Sequence, residues 1–220
     1  GFFDGSEQND ISYAAIDSIL LLTNFGEEYF SLKENQSLSK KFANAKFDFN
    51  GIAQGHSVDV IADFFDAKNI TNYMIEIGGE VTWSGDNPDG LNWSIGIDKP
   101  VENSQPGEDL QFIAALDNMS LATSGNYRKF YEIDGKKYSH TINPVTGAPV
   151  QHNLLSVTVI SKSCADADAY ATAFMVMGLL NAMNFVNNHP DLELNAYFVF
   201  DANGTMNTSM TKGFEKYIKK

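Results

Sequence analysis

The chain has 220 residues, of which 43% are hydrophobic, so it is long and apolar enough to bury the core of one large domain or two small ones. Its 28 acidic residues outnumber its 15 basic residues, and the formal net charge of -13 argues against a nucleic-acid-binding protein, because phosphate backbones are bound by clusters of Lys and Arg. Cys164 is the only cysteine, which excludes an intrachain disulfide and a thiolate zinc site, and no apolar run approaches the roughly 18 residues of a membrane-spanning helix.

Two segments in the first third of the chain have the apolar spacing of amphipathic helices. Residues 11–22 carry apolar side chains close to a helical stripe, and Gly26 follows as a stop signal. Residues 57–67 show the same periodicity from Val58 onwards. We expect Ser57 to cap this second helix, because a serine oxygen at the N-cap can accept a hydrogen bond from a backbone N–H of the first turn.

Short apolar segments separated by turn residues predict a sheet in the rest of the chain. The predicted strands are residues 73–77, 81–83, 93–97, 112–116, 130–133, 155–160 and 197–200, and a turn at residues 134–135 leads into a further extended segment at 137–139. The order of elements favours an α+β fold, with a mostly antiparallel sheet covered by helices, over alternating βαβ units. We expect one compact domain with a hairpin excursion near residues 84–110.

The segment of residues 161–178, SKSCADADAYATAFMVMG, predicts a helix that begins near Ala165. Asp168 and Thr172 are four residues apart and therefore project from the same helical face. A carboxylate and a hydroxyl suit magnesium, which prefers oxygen ligands and often shares its shell with substrate phosphates. Alternatively, Asp166 and Asp168 only complement the positive N-terminal end of the helix.

Three further segments could either bind a ligand or serve only the fold. Residues 51–55, GIAQG, precede the second helix, and glycines at both ends would let backbone groups approach a ligand closely. Gly78 and Gly79 end a predicted strand, where they would form a bulge or make room for a flat ligand. Residues 123–127, TSGNY, offer hydroxyls and amides in a polar turn.

His140 is the best candidate for a catalytic base among the four histidines. An imidazole exchanges protons near neutral pH, and His140 stands between a predicted strand and a Pro- and Gly-containing turn, where functional side chains are often displayed. A packed or solvated histidine without a catalytic role is the alternative.

Four segments, taken together, resemble the FAD:protein FMN transferase family, the ApbE-type flavin transferases. In chain order they are residues 48–59 (DFNGIAQGHSVD), residues 77–80 (IGGE), residues 124–128 (SGNYR) with 139–147 (SHTINPVTG), and residues 167–173 (ADAYATA). An ordered set of this kind is far more specific than any one motif. The resemblance implies an ApbE-like, T-fold-related α+β domain that uses Mg²⁺ and FAD to attach FMN to a Ser or Thr hydroxyl of a target flavoprotein.

The resemblance also implies roles for particular residues. The metal ligands would be Asp168, Thr172 and the backbone carbonyl of Gly51, and His140 would be the base that activates the acceptor hydroxyl. The residues implied in FAD binding are Asp48, Gln54, the Ile142 backbone and the Phe2, Phe3 and Asp4 segment.

The chain departs from the family pattern at several positions. Position 54 is Gln where many members have Lys, position 171 is Ala where some members have an acid, and Gly5 follows Asp4 where the family has a longer flavin-contacting segment. We therefore expect the N-terminal part of the domain to be incomplete. The family usually works as a lipoprotein on the outer face of the cytoplasmic membrane, so the resemblance implies a periplasmic, lipid-anchored protein.

Two other functions remain open at this stage. The first is an FAD pyrophosphatase that releases FMN and AMP, and the second is a flavin-binding protein without turnover.

Overall fold

The computed structural model describes residue 20 and residues 28–34, 37–101, 105, 107–116, 118–125, 130–133, 136–139, 142–150 and 152–219. These residues belong to two compact units. One unit comprises Gly1–Phe47 and Ile142–Val150, and the other comprises Asp48–Thr141 and Gln151–Lys220. Apart from Leu20, the helix predicted at residues 11–22 lies outside the described residues, so it stays a prediction.

The first unit contains an antiparallel pair of short strands, β1 (Phe30–Leu32) and β2 (Leu38–Lys40). The ring of Phe30 packs on the ring of Phe47, with 4.7 Å between the ring centroids. In the second segment of this unit, Ile142 forms an isolated antiparallel bridge with Pro149.

The second unit is built on a six-stranded sheet in which each neighbouring pair is antiparallel. Its strands, in sequence order, are β3 (Tyr73–Ile77), β4 (Glu80–Ser84), β7 (Ser120–Gly125), β10 (Leu154–Ser161), β11 (Asn195–Ala202) and β12 (Thr205–Met210), and the spatial order is β12-β11-β10-β7-β4-β3. Two further antiparallel pairs lie outside this sheet, namely β5 (Ser94–Asp98) with β6 (Leu110–Ala115) and β8 (Phe130–Ile133) with β9 (Lys136–Ser139).

Three α-helices occur in the described part of the second unit: α1 (Ala53–Ala67), α2 (Cys164–Met177) and α3 (Leu179–Asn188). Short 3₁₀ turns follow at Pro190–Leu192 and Phe214–Tyr217. Helices and an antiparallel sheet together confirm the predicted α+β class. No helix among the described residues is long and apolar enough to cross a membrane.

The central strands bury both of their faces, because alternate side chains of a strand point to opposite sides of the sheet. On one side, Val157, Val159 and Phe198 pack with residues of α2 and α3 around Phe174. On the other side, Ile160, Val199 and other residues pack around Trp83 and Phe214, together with β5 and β6. The sheet therefore holds α2 in a fixed position against its centre.

Helix α1 packs against the edge of the sheet through a smaller cluster. Val58 is fully buried there with Tyr73 and Ile75 of β3 and with Cys164 at the start of α2. The helix ends at the predicted residue but begins four residues earlier than predicted.

At three places the structure differs from one local interpretation of the sequence. Ser57 does not cap α1: it lies inside the helix, where its hydroxyl donates to the carbonyl of Ala53 at 2.7 Å. Gly78 and Gly79 do not form a bulge, since Ile77 pairs with Glu80 and the two glycines form a two-residue hairpin turn with positive φ angles of 67° and 109°. Residues 123–125 are not a turn but the end of β7, because hydrogen bonding to β10 overrides their low apolar content.

Candidate functional site

The N-terminal end of α2 is bound to α1 by a single carboxylate. Asp59 of α1 accepts hydrogen bonds from the backbone N–H of Cys164 at 2.8 Å, the backbone N–H of Ala165 at 2.9 Å and the hydroxyl of Ser163 at 2.9 Å. Ser163 is the N-cap of α2, and its oxygen accepts the backbone N–H of Asp166 at 3.2 Å. Because the first N–H groups of a helix have no partner within the helix, these contacts satisfy them and join the two helices.

The predicted start of α2 near Ala165 is confirmed to within one residue. Asp166 lies in the first turn with an exposed side chain, and its hydrogen bond to Ser163 is made by its backbone.

Gly55 is the point of closest approach between the two helices. A methyl group on Gly55 would lie 2.3 Å from the carbonyl oxygen of Cys164 and 2.8 Å from Cβ of Asp168, so only glycine fits between the helices as they stand. The backbone N–H of Gly55 donates to Oδ2 of Asp168 at 3.0 Å. The glycine therefore lets the start of α1 reach the Asp168 carboxylate directly.

Gly51 and Thr172 lie one helical turn further along. A methyl group on Gly51 would be 3.6 Å from Cγ2 and 3.8 Å from Oγ1 of Thr172, which places the Gly51 backbone against this side chain. Ser124 of β7 also contacts it, with 3.2 Å between the two hydroxyl oxygens. The structure thus brings the predicted ligand residues Gly51, Asp168 and Thr172 together where the start of α1 lies against the first three turns of α2.

Asp168 and Glu80 form a buried acidic pair at this place. They are 5% and 7% exposed. Burial raises the pKa of Asp168, although the hydrogen bond from Gly55 acts in the opposite direction. Burial raises the pKa of Glu80 to about 7, and the negative charges of Asp168 and Glu76 contribute in the same direction, although a hydrogen bond from the backbone of Glu80 itself acts against them. Charged carboxylates are therefore disfavoured here unless a cation or hydrogen-bond donors compensate them.

Cys164 lies in the same buried, negatively charged environment. Burial, together with the negative charges of Asp59, Glu80 and Asp168, raises the pKa of its thiol. The thiol is fully buried beside the carbonyl of Val81, at 3.7 Å. This cysteine is therefore a neutral packing residue rather than a nucleophile.

Gln54 lies over the hairpin turn between β3 and β4. A methyl group on Gly78 would lie 1.9 Å from Nε2 of Gln54 and 3.5 Å from Oε2 of Glu80, so the amide and the carboxylate share the space above this glycine. Gly78 is needed here both for its positive φ and for the close approach of Gln54.

The donor chemistry of this site fits a magnesium ion. A carboxylate, a hydroxyl and a backbone carbonyl are all hard oxygen donors, which Mg²⁺ combines with waters and substrate phosphates. The buried and unpartnered Oε2 of Glu80 nearby is a further oxygen in need of a compensating group. No cluster of three or more His, Cys, Asp or Glu side chains suited to a metal occurs among the described residues.

The other predicted site residues are placed as follows. Asp48 stands before the loop that leads into α1, and its carboxylate accepts the backbone N–H of Asn50 at 2.9 Å. Ile142 belongs to the first unit. His140 and the segment of Phe2, Phe3 and Asp4 lie outside the described residues, so their roles stay predictions.

Sequence reasoning assigned no role to Asp59, Glu80 or Ser124, although all three stand in the segments that carry the resemblance. The spacing of Gly55 and Asp59, four residues apart in a helix, was the available signal that both face the same neighbour.

A cleft of about 440 Å³ lies elsewhere in the second unit and includes Lys162, Lys212 and Lys216 in its lining. None of the predicted site residues lines it. Lys162 forms an ion pair with Glu193, which also lines the cleft, so we assign no ligand to this cleft.

Comparison with known proteins identifies the family. The ApbE family model matches residues 1–198. The chain belongs to the ApbE family. Among curated relatives, the FAD:protein FMN transferase of Vibrio cholerae serotype O1 is 44% identical over 153 residues, which cover 70% of this chain and 45% of the relative. The protein of the same name from Haemophilus influenzae is 34% identical over 205 residues, which cover 93% of this chain and 56% of the relative.

Solved ApbE structures share the fold. The apo form of the flavinyl transferase ApbE from Pseudomonas stutzeri matches with a TM-score of 0.82 and 35% identity, over 97% of this chain and 63% of that one. The flavin transferase ApbE from Vibrio cholerae matches with a TM-score of 0.81 and 32% identity, over 96% of this chain and 65% of that one. The chain thus spans between 45% and 65% of the length of these curated relatives and solved structures.

The contact at Gly55 leads to a prediction about stability. In an isolated helix, Gly55→Ala would be stabilising by about 1 kcal/mol. Here the added methyl group meets the backbone of Cys164, so we expect a net loss of about 1–3 kcal/mol in the free energy of unfolding, measured by urea denaturation. Ser57→Ala, at an exposed position of the same helix, is the control and should change it by less than about 0.5 kcal/mol. A stabilised Gly55→Ala variant would contradict the close packing of α1 on α2.

The raised pKa of Glu80 predicts a pH dependence of stability. Its reference value is 4.5 and its folded value about 7, so between these pH values the folded state holds a proton that the unfolded state has lost. This contribution is fully present below pH 4.5 and is lost as the pH rises through 7. In EDTA, Glu80→Gln should therefore lose less stability than the natural protein between pH 5 and pH 8, as measured by urea denaturation at each pH. If the free energy of unfolding changes with pH in the same way for both proteins, the Glu80 carboxyl is not the source of the pH dependence.

Proposed function

We propose that this chain is the magnesium- and FAD-binding part of an FAD:protein FMN transferase, which attaches FMN from FAD to a Ser or Thr hydroxyl of a target flavoprotein. Membership of the ApbE family and the names of its relatives support this function. The observation that carries it is the meeting of Gly51, Asp168 and Thr172 where the start of α1 lies against the first three turns of α2.

The proposed reaction is a displacement at phosphorus. The acceptor hydroxyl oxygen forms a bond to the phosphorus of the FMN half of FAD, the bond from that phosphorus to the bridging oxygen breaks, and AMP leaves. A bound magnesium ion would neutralise charge on the pyrophosphate and stabilise the leaving oxygen.

The residues of this chain would divide the remaining tasks. Asp168, Thr172 and the Gly51 carbonyl would hold the metal, and Asp48, Gln54 and Ile142 would position FAD, as the resemblance implies. His140 would take the proton of the attacking hydroxyl through its neutral imidazole. The buried setting of Asp168 supports its assignment, because a buried carboxylate is stabilised by a bound cation.

FAD pyrophosphatase activity is the second candidate. Gln54 bears on the balance between transfer and hydrolysis, since this position carries Lys in many members of the family and a neutral amide attracts phosphate less strongly. Hydrolysis would use water in place of the acceptor hydroxyl and release free FMN and AMP. The expectation of a lipid-anchored protein outside the cytoplasmic membrane stays a proposal that rests on the resemblance alone.

Incubating the protein that contains this chain with FAD, Mg²⁺ and a flavoprotein acceptor domain tests the proposal. Covalent FMN on the acceptor, detected by fluorescence after denaturing electrophoresis, is the expected result. We predict that Asp168→Ala reduces transfer to the level measured in EDTA. Asp166→Ala removes an exposed carboxylate two residues away and should leave transfer unchanged. Free FMN and AMP without labelled acceptor would favour hydrolysis, and undiminished transfer by Asp168→Ala would refute the metal assignment.

A separate prediction concerns the base. We expect His140→Ala to bind FAD with nearly unchanged affinity, measured by fluorescence titration, but to lose FMN transfer to the acceptor. His189→Ala, at the exposed C-terminal end of α3, is the matched histidine control. If His140→Ala instead loses FAD binding and keeps its residual chemistry, His140 is a ligand contact and not a base.

A further inference from the structure

One oxygen of the Glu80 carboxylate is buried without a hydrogen-bond partner. Glu80 is 7% exposed at the start of β4. Among the side-chain atoms that the structure describes, its Oε2 is the only buried nitrogen or oxygen without a hydrogen-bond partner. Leaving a carboxylate oxygen buried and unpaired costs free energy, so the structure holds a group whose partner is missing from the protein itself.

The groups around Glu80 do not supply that partner. The charges that act on it, from Asp168 and Glu76, are both negative. The side chain that shares its space above Gly78 is the neutral amide of Gln54, which makes no hydrogen bond to Oε2. Two neighbouring buried carboxylates leave negative charge uncompensated in the interior, and a bound cation would neutralise it.

We propose that Glu80 is a positioning residue of the magnesium site. Its free oxygen accepts hydrogen bonds from water bound to the metal, and its negative charge adds to that of Asp168 in attracting the ion. Magnesium gives up its waters reluctantly, so a carboxylate next to the ligands acts through these waters. This inference rests on the proposed function, because it assumes that Asp168 and Thr172 hold the metal.

The proposal also gives Gln54 a role. A neutral side chain above Gly78 leaves the Glu80 carboxylate available to the ion. A lysine at the same position, as in many members of the family, would place an ammonium group in this space and pair with Glu80, so Gln54→Lys should stabilise the metal-free protein.

Binding of Mn²⁺ alone, without FAD, tests the proposal on the full chain. The free ion is followed by electron paramagnetic resonance during titration, and thermal unfolding in EDTA checks that each variant folds. We expect Glu80→Gln to raise the Kd for Mn²⁺ by about tenfold or more, as is typical for residues that support metal ligands. Asp166→Asn removes the same charge from an exposed position in the first turn of α2 and should change the Kd less than about twofold.

The two proposals fail in different ways. If Glu80→Gln binds Mn²⁺ like the natural chain while Asp168→Ala does not bind it, Glu80 is a structural carboxyl and this inference is overturned, but the proposed function stands. If the natural chain does not bind Mn²⁺, this inference is also overturned, and the flavin-transfer assay then decides the function separately. Weaker Mn²⁺ binding by Glu80→Gln, with unchanged or higher metal-free stability, supports it.

Discussion

The attachment of α2 to α1 through Asp59 is the interaction on which the rest of the site depends. One carboxylate accepts two backbone N–H groups and one hydroxyl at the start of α2, and Gly55 leaves no side chain between the helices. Because α2 is also packed against the centre of the sheet, the Asp59 contacts hold the start of α1 at a defined place beside Asp168 and Thr172. Together with the hydrogen bond from Gly55 to Asp168, this attachment fixes the position of the loop that carries Gly51 relative to α2.

The same attachment concentrates acidic groups in a buried place. The N–H groups that begin α2 are occupied by Asp59 and Ser163, so they do not compensate the charges of Asp168 and Glu80. The single backbone N–H from Gly55 compensates Asp168 in part. A site with this electrostatic balance is less stable when empty at neutral pH than a neutral core would be, and it gains stability when a cation binds. Under the proposed function, the protein exchanges stability in the metal-free state for affinity toward magnesium.

The sequence predicted correctly those features that depend on the periodicity of a single helix or strand. The start of α2 near Ala165, the shared face of Asp168 and Thr172, and most strands of the large sheet follow from local periodicity and are present in the structure. The errors arose where tertiary contacts overrode local preference. Residues 123–125 look like a polar turn, yet they form the end of a strand because β10 supplies backbone partners. Ser57 looks like an N-cap, yet α1 begins four residues earlier because its first turn packs on α2.

The sequence alone determined the fold class, the family resemblance and the residue types of a hard-oxygen site, since these depend on spacing and on the chemistry of each side chain. Only the tertiary structure decided which groups meet. Gly51 and Thr172 are far apart in the chain. Their contact depends on the packing of α1 on α2, which Gly55 and Asp59 make possible. The burial of Glu80 and its missing partner likewise depend on packing from several elements at once, and no local pattern in the chain encodes that environment.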